Sequence, residues 1–175
     1  MELRNKSPYK IDEKIYRILW GLGSLVFRLT PRQLWIVRAQ ILRLFGAKIG
    51  TNVRIYPNVR IFMPRLLEVG SDTTIGNAVE IYNLGFVRIG SMVTISQRCH
   101  LCAGSHRWQL KNMDLIRSPI TISNDVWLAA DVFIGPNVTI GAGTIVGARC
   151  TVMTSISEKK LLKAIQPKIE ENHHA

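Results

Sequence analysis

The sequence predicts an all-β solenoid of about five triangular coils, with amphipathic helices before it and a short helix after it. Three observations carry this. Ile122, Leu128, Ile134, Ile140, Val146 and Val152 lie six residues apart, a period that fits neither a helix nor a flat strand. The same spacing runs earlier through Ile49, Ile55 and Ile61, through Val69, Ile75 and Ile81, and through Ile89, Ile95 and Leu101, with slips of two at Val69 and Ile89. Two residues before most of these positions stands a small or β-branched side chain, as at Val53, Thr73, Cys99, Val126 and Cys150. A chain that turns a corner every six residues explains both registers. Each hexad is one short strand with one aliphatic residue inward, and three hexads close one coil. Glycine after the inward residue, as at Gly50, Gly70 and Gly90, is expected to relieve the corner backbone. Coils about 4.8 Å apart give a prism of about 24 Å whose open ends need covers.

The expected organisation is a helical cap over residues 1–48, the β-helix over 49–156 with an excursion loop at 102–121, and a partly helical tail over 157–175. Within 11–29, Ile15, Ile18, Leu19, Leu22, Leu25, Val26 and Leu29 follow the spacing of one helix face. Arg28 and the lack of a small-residue cleavage site argue against a signal peptide. A second helix is expected over Pro31–Phe45, with Thr30 and Gln33 as a capping box and Gly46 as its left-handed stop. Two readings stand open for these helices: a lid on the solenoid, or a patch that touches a membrane surface.

Composition narrows the function. Among 175 residues, 47% hydrophobic and 20% charged exclude wholesale disorder, and no charge-free apolar stretch is long enough to span a bilayer. Three cysteines exclude a disulfide-stapled module. The net charge of +11 is concentrated in residues 1–48, which carry ten basic and three acidic side chains. No nucleic-acid-binding signature accompanies it, so no nucleic-acid partner is expected. Cys99 and Cys102 form a CxxC with His100 and His106 nearby. Cys99 and Cys150 nonetheless fall in the small inward slot and Cys102 at a corner, so all three read as fillers and no metal is expected.

The repeat resembles the hexapeptide-repeat acyltransferases, whose fold is a left-handed parallel β-helix. The phrases LRLFGAKIG at 42–50, ISQRCHLCAGSH at 95–106 and VWLAADVFIGPNVTIGAGTIVGA at 126–148 resemble the colanic-acid-type acetyltransferases of exopolysaccharide assembly, and the likeness covers about residues 30–153. It implies acetyl-coenzyme A as donor, a homotrimer, and a saccharide acceptor that is nucleotide- or lipid-linked. The expected setting is the cytoplasm or the inner face of the membrane.

The excursion at 102–121 is the one break in the frame, and long loops tend to carry function. His106, in a Gly-Ser-His context, sits where the family places its catalytic histidine. An imidazole suits the removal of a hydroxyl proton near neutral pH. His100 precedes the inward Leu101 and is expected to point outward. By the same resemblance Ala130, Ala148 and Trp127 line the donor groove, and Glu80 and Asn83 lie on the edge that faces the sugar. The chain departs from the family pattern after Val152: the usual proline-containing segment is missing, and Lys159, Lys160 and Lys163 are the cations left near that end. Ser157 is expected to cap a short tail helix that lays Leu161, Leu162 and Ile165 on the open end. A non-catalytic β-helical scaffold is the alternative function.

Overall fold

In the computed structural model, which describes residues 9–164, the hexads wind into the expected left-handed parallel β-helix, with about six turns rather than five. The first face stacks Lys48–Ile49, Leu67–Val69, Val87–Ile89, Ile120–Ile122 and Thr139–Ile140. The second runs from Arg54–Ile55 through Thr74–Ile75, Thr94–Ile95, Trp127–Leu128 and Ile145–Val146 to Leu161–Leu162. The third stacks Arg60–Ile61, Glu80–Tyr82, His100–Cys102, Phe133–Ile134 and Thr151–Val152. All these pairings are parallel and in register, as Ile55 over Ile75 and Ile134 over Val152 illustrate. The inward aliphatics fuse into one continuous buried core.

The corners differ from expectation. The left-handed residue comes three positions after the inward aliphatic, at Asn52, Asp72, Met92, Ala78 and Arg98 among others. The glycine directly after the aliphatic serves another purpose. A Cβ on Gly50 would lie 2.6 Å from the Ser71 nitrogen, and one on Gly70 would lie 2.5 Å from that of Ser91. These glycines let one coil's backbone approach the next; they do not relax a dihedral.

The tail is a second correction. Residues 161–162 do not form a helix. Leu161 and Leu162 pair with Ile145 and Val146 as a further strand, and Ile156 bridges Ile140. Ile156 and Leu162 are themselves six apart, so they begin the sixth turn after a shortened corner. Ile165 lies outside the described residues.

Helix α1 spans Ile11–Leu29 and helix α2 spans Trp35–Leu44. α2 starts later than predicted, because the proposed box does not form. The Thr30 hydroxyl instead donates to the Val26 carbonyl at 2.8 Å and finishes α1. Gly46 does take a positive φ of 85°. α2 lays Ala39 and Leu42 on the first coil. Fully buried Arg38 donates to the carbonyls of Ile55, Thr30 and Pro31 at 2.7–2.9 Å, tying α2, the interhelical turn and the coil together. α1 covers the same end, but not with the stripe that its sequence suggested. Its buried face is Glu13, Trp20 and Phe27. Trp20 donates its indole N–H to the Ile61 carbonyl at 2.7 Å. Ile15, Ile18, Leu19, Leu22, Leu25, Val26 and Leu29 all face out.

Glu13 accepts from both Arg117 terminal nitrogens and lies near Arg65, so α1 is fastened to the excursion 104 residues away. The Arg117 hydrogen bonds outweigh burial and hold the Glu13 carboxyl at about 2, down from 4.5. A depressed acid stabilises the fold above its unfolded value and loses that contribution as pH falls through the folded value. Glu13→Gln is therefore expected to cost about 2 kcal/mol at neutral pH, intermediate between exposed and buried pairs. The difference from the parent should vanish as pH drops from 4.5 to about 2. Thermal unfolding across that window measures both effects.

Candidate active site

Three insertions interrupt the hexads, and all fall at the corner between the third and first faces. The lowest is the 3₁₀ turn Pro64–Leu66, the next is the Asn83–Gly85 stretch, and the third is the excursion. The two slips of the frame and its one full break are thus a single structural feature, a widened corner that grows into a hairpin. Its strands are Gly104–His106 and Leu115–Arg117, antiparallel, with His106 opposite Leu115. The coil below cradles its base. A Cβ on Gly104 would meet the Leu84 side chain at 2.8 Å, and one on Gly85 would meet the Ser118 carbonyl oxygen at 2.3 Å. Leu84, Gly85 and Ser118 therefore position the hairpin. Sequence reasoning misses Gly85 and Ser118, because neither falls in the hexad register.

His106 ends the first hairpin strand and is exposed. Its Nδ1 lies 2.7 Å from the Met113 carbonyl oxygen. A carbonyl can only accept, so Nδ1 carries the proton, and in the neutral ring Nε2 keeps its lone pair. Met113 reaches this position through a left-handed φ of 48°. The hairpin tip exposes Trp108, Leu110 and Met113. Trp108 is an exposed aromatic two residues from the histidine, a signal that the sequence itself carries.

Asn83 is not on an open edge. It is fully buried, its Oδ1 accepting from the Met63 N–H at 2.9 Å and its Nδ2 donating to the Met63 carbonyl at 2.7 Å. The widened corner needs its backbone groups paired, and Asn83 pairs them. Glu80 does face outward, half-buried on the third face between Arg60 and His100. It lines a cavity of about 300 Å³ between α1 and that face, with Arg17, Trp20, Arg28, Arg60 and Tyr82. His100 points outward as expected, edge-on to Phe133 with ring centroids 5.3 Å apart. Its Nε2 is buried with no hydrogen-bond partner among the described residues.

Ala130 and Ala148 stack at another corner, between the second and third faces, where the Arg149 N–H donates to the Ala130 carbonyl at 2.9 Å. Trp127 stands on the second face next to it, 48% exposed, its indole N–H on the Ser96 hydroxyl at 3.1 Å. Lys163 is carried to this same corner by the sixth turn: a Cβ on Gly147 would lie 3.5 Å from the Lys163 Cα. Within one chain, then, His106 and the Ala130–Ala148 corner are separated by the width of the third face. Cys99 and Cys150 are buried in the inward slots, and burial pushes the Cys99 thiol up to about 11.

Residues 119–153 match the family described as bacterial transferase hexapeptide (six repeats). Over 112 residues, 64% of this chain, the sequence is 44% identical to the putative colanic acid biosynthesis acetyltransferase WcaF of Escherichia coli K12, and equally to that of Shigella flexneri. The match spans 62% of the length of each relative. The fold is similar to that of a maltose O-acetyltransferase from Clostridium difficile 630, with a TM-score of 0.81 and 23% identity, covering 93% of this chain and 90% of that one. A galactoside acetyltransferase in complex with coenzyme A gives 0.80 at 23% identity, covering 89% and 79%. The resemblance read from the sequence phrases points to the same kind of protein.

The Nδ1 contact has a direct check. Nitrogen NMR of the His106 ring is expected to show the neutral form protonated at Nδ1, the reverse of the tautomer that free imidazole side chains favour. A ring protonated at Nε2 would mean that the Met113 carbonyl does not hold it.

Proposed function

We propose that this chain is an acetyl-coenzyme A-dependent O-acetyltransferase that moves an acetyl group to a saccharide hydroxyl in exopolysaccharide assembly. The relatives' names support the reaction and the setting. One observation in this chain carries the chemistry: a histidine at the head of a hairpin, its Nδ1 proton anchored on a carbonyl and its Nε2 left as acceptor. In this reading Nε2 removes the acceptor's hydroxyl proton as the oxygen attacks the thioester carbonyl. The oxyanion collapses with cleavage of the carbon–sulfur bond, and the imidazolium returns its proton to the departing thiolate. The Met113 contact keeps the ring from rotating while its charge changes.

The donor lies along the corner of Ala130 and Ala148, where small side chains admit the pantetheine arm to the backbone and Trp127 forms a wall. Lys163 stands above, in reach of the nucleotide phosphates, and replaces charge that the family carries on a different segment. The acceptor enters by Glu80 and Tyr82, with Trp108 offering a face for the sugar ring. Asn83 supports the corner beneath. Because His106 and the donor corner lie on different edges of one prism, the site is completed by a second copy, as in the homotrimer that the resemblance implies. No metal takes part in this scheme. The free thiols agree with a cytoplasmic setting.

His106→Ala is expected to lower acetyl transfer by about 10²–10⁴-fold, the usual worth of a general base. Its thermal unfolding should match the parent, since the side chain lies outside the core. Coenzyme A release followed with a thiol reagent measures the first, and undiminished release would overturn the mechanism. The altered C-terminal segment favours a second reading, a non-catalytic scaffold. Calorimetry with acetyl-coenzyme A decides: micromolar binding that weakens in Lys163→Gln supports the enzyme, and no binding by the parent supports the scaffold.

A further inference from the structure

Twelve of the twenty large hydrophobic side chains exposed among the described residues belong to α1, α2 and the turn between them. On α1 they form one ridge along the whole helix, from Ile11 through Ile15, Ile18, Leu22 and Leu25 to Leu29, which is 73% exposed. The opposite face is already occupied by Trp20 and Phe27 in the core and by Glu13 on Arg117. α1 therefore cannot roll to bury the ridge without breaking its own anchors. α2 adds Ile36 and Leu44, 76% and 82% exposed. A soluble surface rarely leaves so long an apolar strip uncovered without a partner for it.

We propose that this ridge is a membrane-docking surface, on which α1 lies in the plane of an anionic phospholipid leaflet without crossing it. The occupant is chosen by charge. Exposed Lys14 and Arg28 flank the ridge, and Arg32 follows in the turn. Asp12, the exposed acid of α1, is turned toward Arg65 at 3.7 Å. A second copy of the ridge would bring the same cations together, whereas anionic headgroups neutralise them while the aliphatic side chains enter the acyl boundary. No helix among the described residues is long and apolar enough to cross a membrane, which leaves the in-plane arrangement. Through Glu13 and Arg117 the docked helix also fixes the height of the His106 hairpin above the lipid.

The test uses the full chain and vesicles of phosphatidylcholine, alone or with about one third phosphatidylglycerol, in co-sedimentation without donor or acceptor. The parent is expected to bind the anionic vesicles at least about 10-fold more tightly than the neutral ones, with the preference shrinking as salt rises. Leu22→Glu with Leu25→Glu should lose at least about 10-fold of that binding. Lys14→Gln with Arg28→Gln changes no buried residue, and should narrow the preference for anionic lipid. A parent that ignores anionic vesicles, or glutamate and glutamine variants that bind like the parent, would overturn the proposal. So would a glutamate variant that sediments as a smaller species without vesicles, because the ridge would then be a contact between copies. The readout needs no catalysis, so a chain that fails to transfer acetyl groups would still show the docking.

Discussion

Everything in this molecule hangs on the distance between coils. Backbone N–H groups of one turn meet carbonyls of the next at 2.8–2.9 Å along the first face, from Gly50 on Val69 through Gly70 on Ile89 and Gly90 on Ile122 to Ser123 on Ile140. That spacing leaves no room for a side chain where the corner backbones nearly touch, and this is why glycine recurs after the inward residue. It also brings successive inward aliphatics into contact, so the core is a continuous column to which each turn adds one aliphatic side chain from each of its three faces. Residues far apart in the chain are neighbours only by stacking. The 20-residue offset between Asn83 and Met63, or between Thr73 and Val93, is one turn with a widened corner.

A stacked column has ends, and the two ends are closed by different means. At the upper end Ile156 and Leu162 extend the solenoid itself. At the lower end the exposed core is sealed by side chains of two helices: Ala39 and Leu42 from one, Trp20 and Phe27 from the other. The seal consumes polar groups as well. Arg38 is buried only because four backbone carbonyls around the interhelical turn and the first coil receive its guanidinium. Such a buried charge is tolerated only when fully paired. Once the large aromatics had taken the inner face of α1, the aliphatic ridge had nowhere to go but outward. The same helix therefore serves the fold with one face and leaves the other exposed.

The site follows from a third property of the solenoid, its tolerance for insertions at corners. One corner widens at each of three successive levels, and Asn83 and Leu84 turn that irregularity into a platform. The hairpin rises from it with His106 at its end, held by Met113 and fastened to α1 by Glu13. The corner between the second and third faces, in contrast, keeps the strict hexad and carries the small Ala130 and Ala148. Irregularity of sequence is thus confined to the corner that carries His106, and the strict hexad is kept at the corner of Ala130 and Ala148.

Much of this architecture is legible in the order of residues alone. The six-residue period, with its inward Ile, Leu and Val, determines the β-helix and nearly its whole core, because a one-dimensional repeat needs only local pattern to specify itself. The interruption at 102–121 marks the hairpin, and His106 with it. The phrase at 126–148 marks the corner of Ala130 and Ala148. Tertiary structure alone decided the rest. The outward ridge of α1 could not be read, because a helix with seven spaced aliphatics looks the same whether they face a core or a solvent. Only the competing burial of Trp20, Phe27 and Glu13 settles which side wins. Asn83 has the look of an edge residue until the neighbouring coil places the Met63 backbone against its amide. The last turn is hidden because Ile156 comes four residues after Val152, a shortened corner that the hexad count does not reach. Each of these depends on contacts between segments distant in sequence, which no local period encodes.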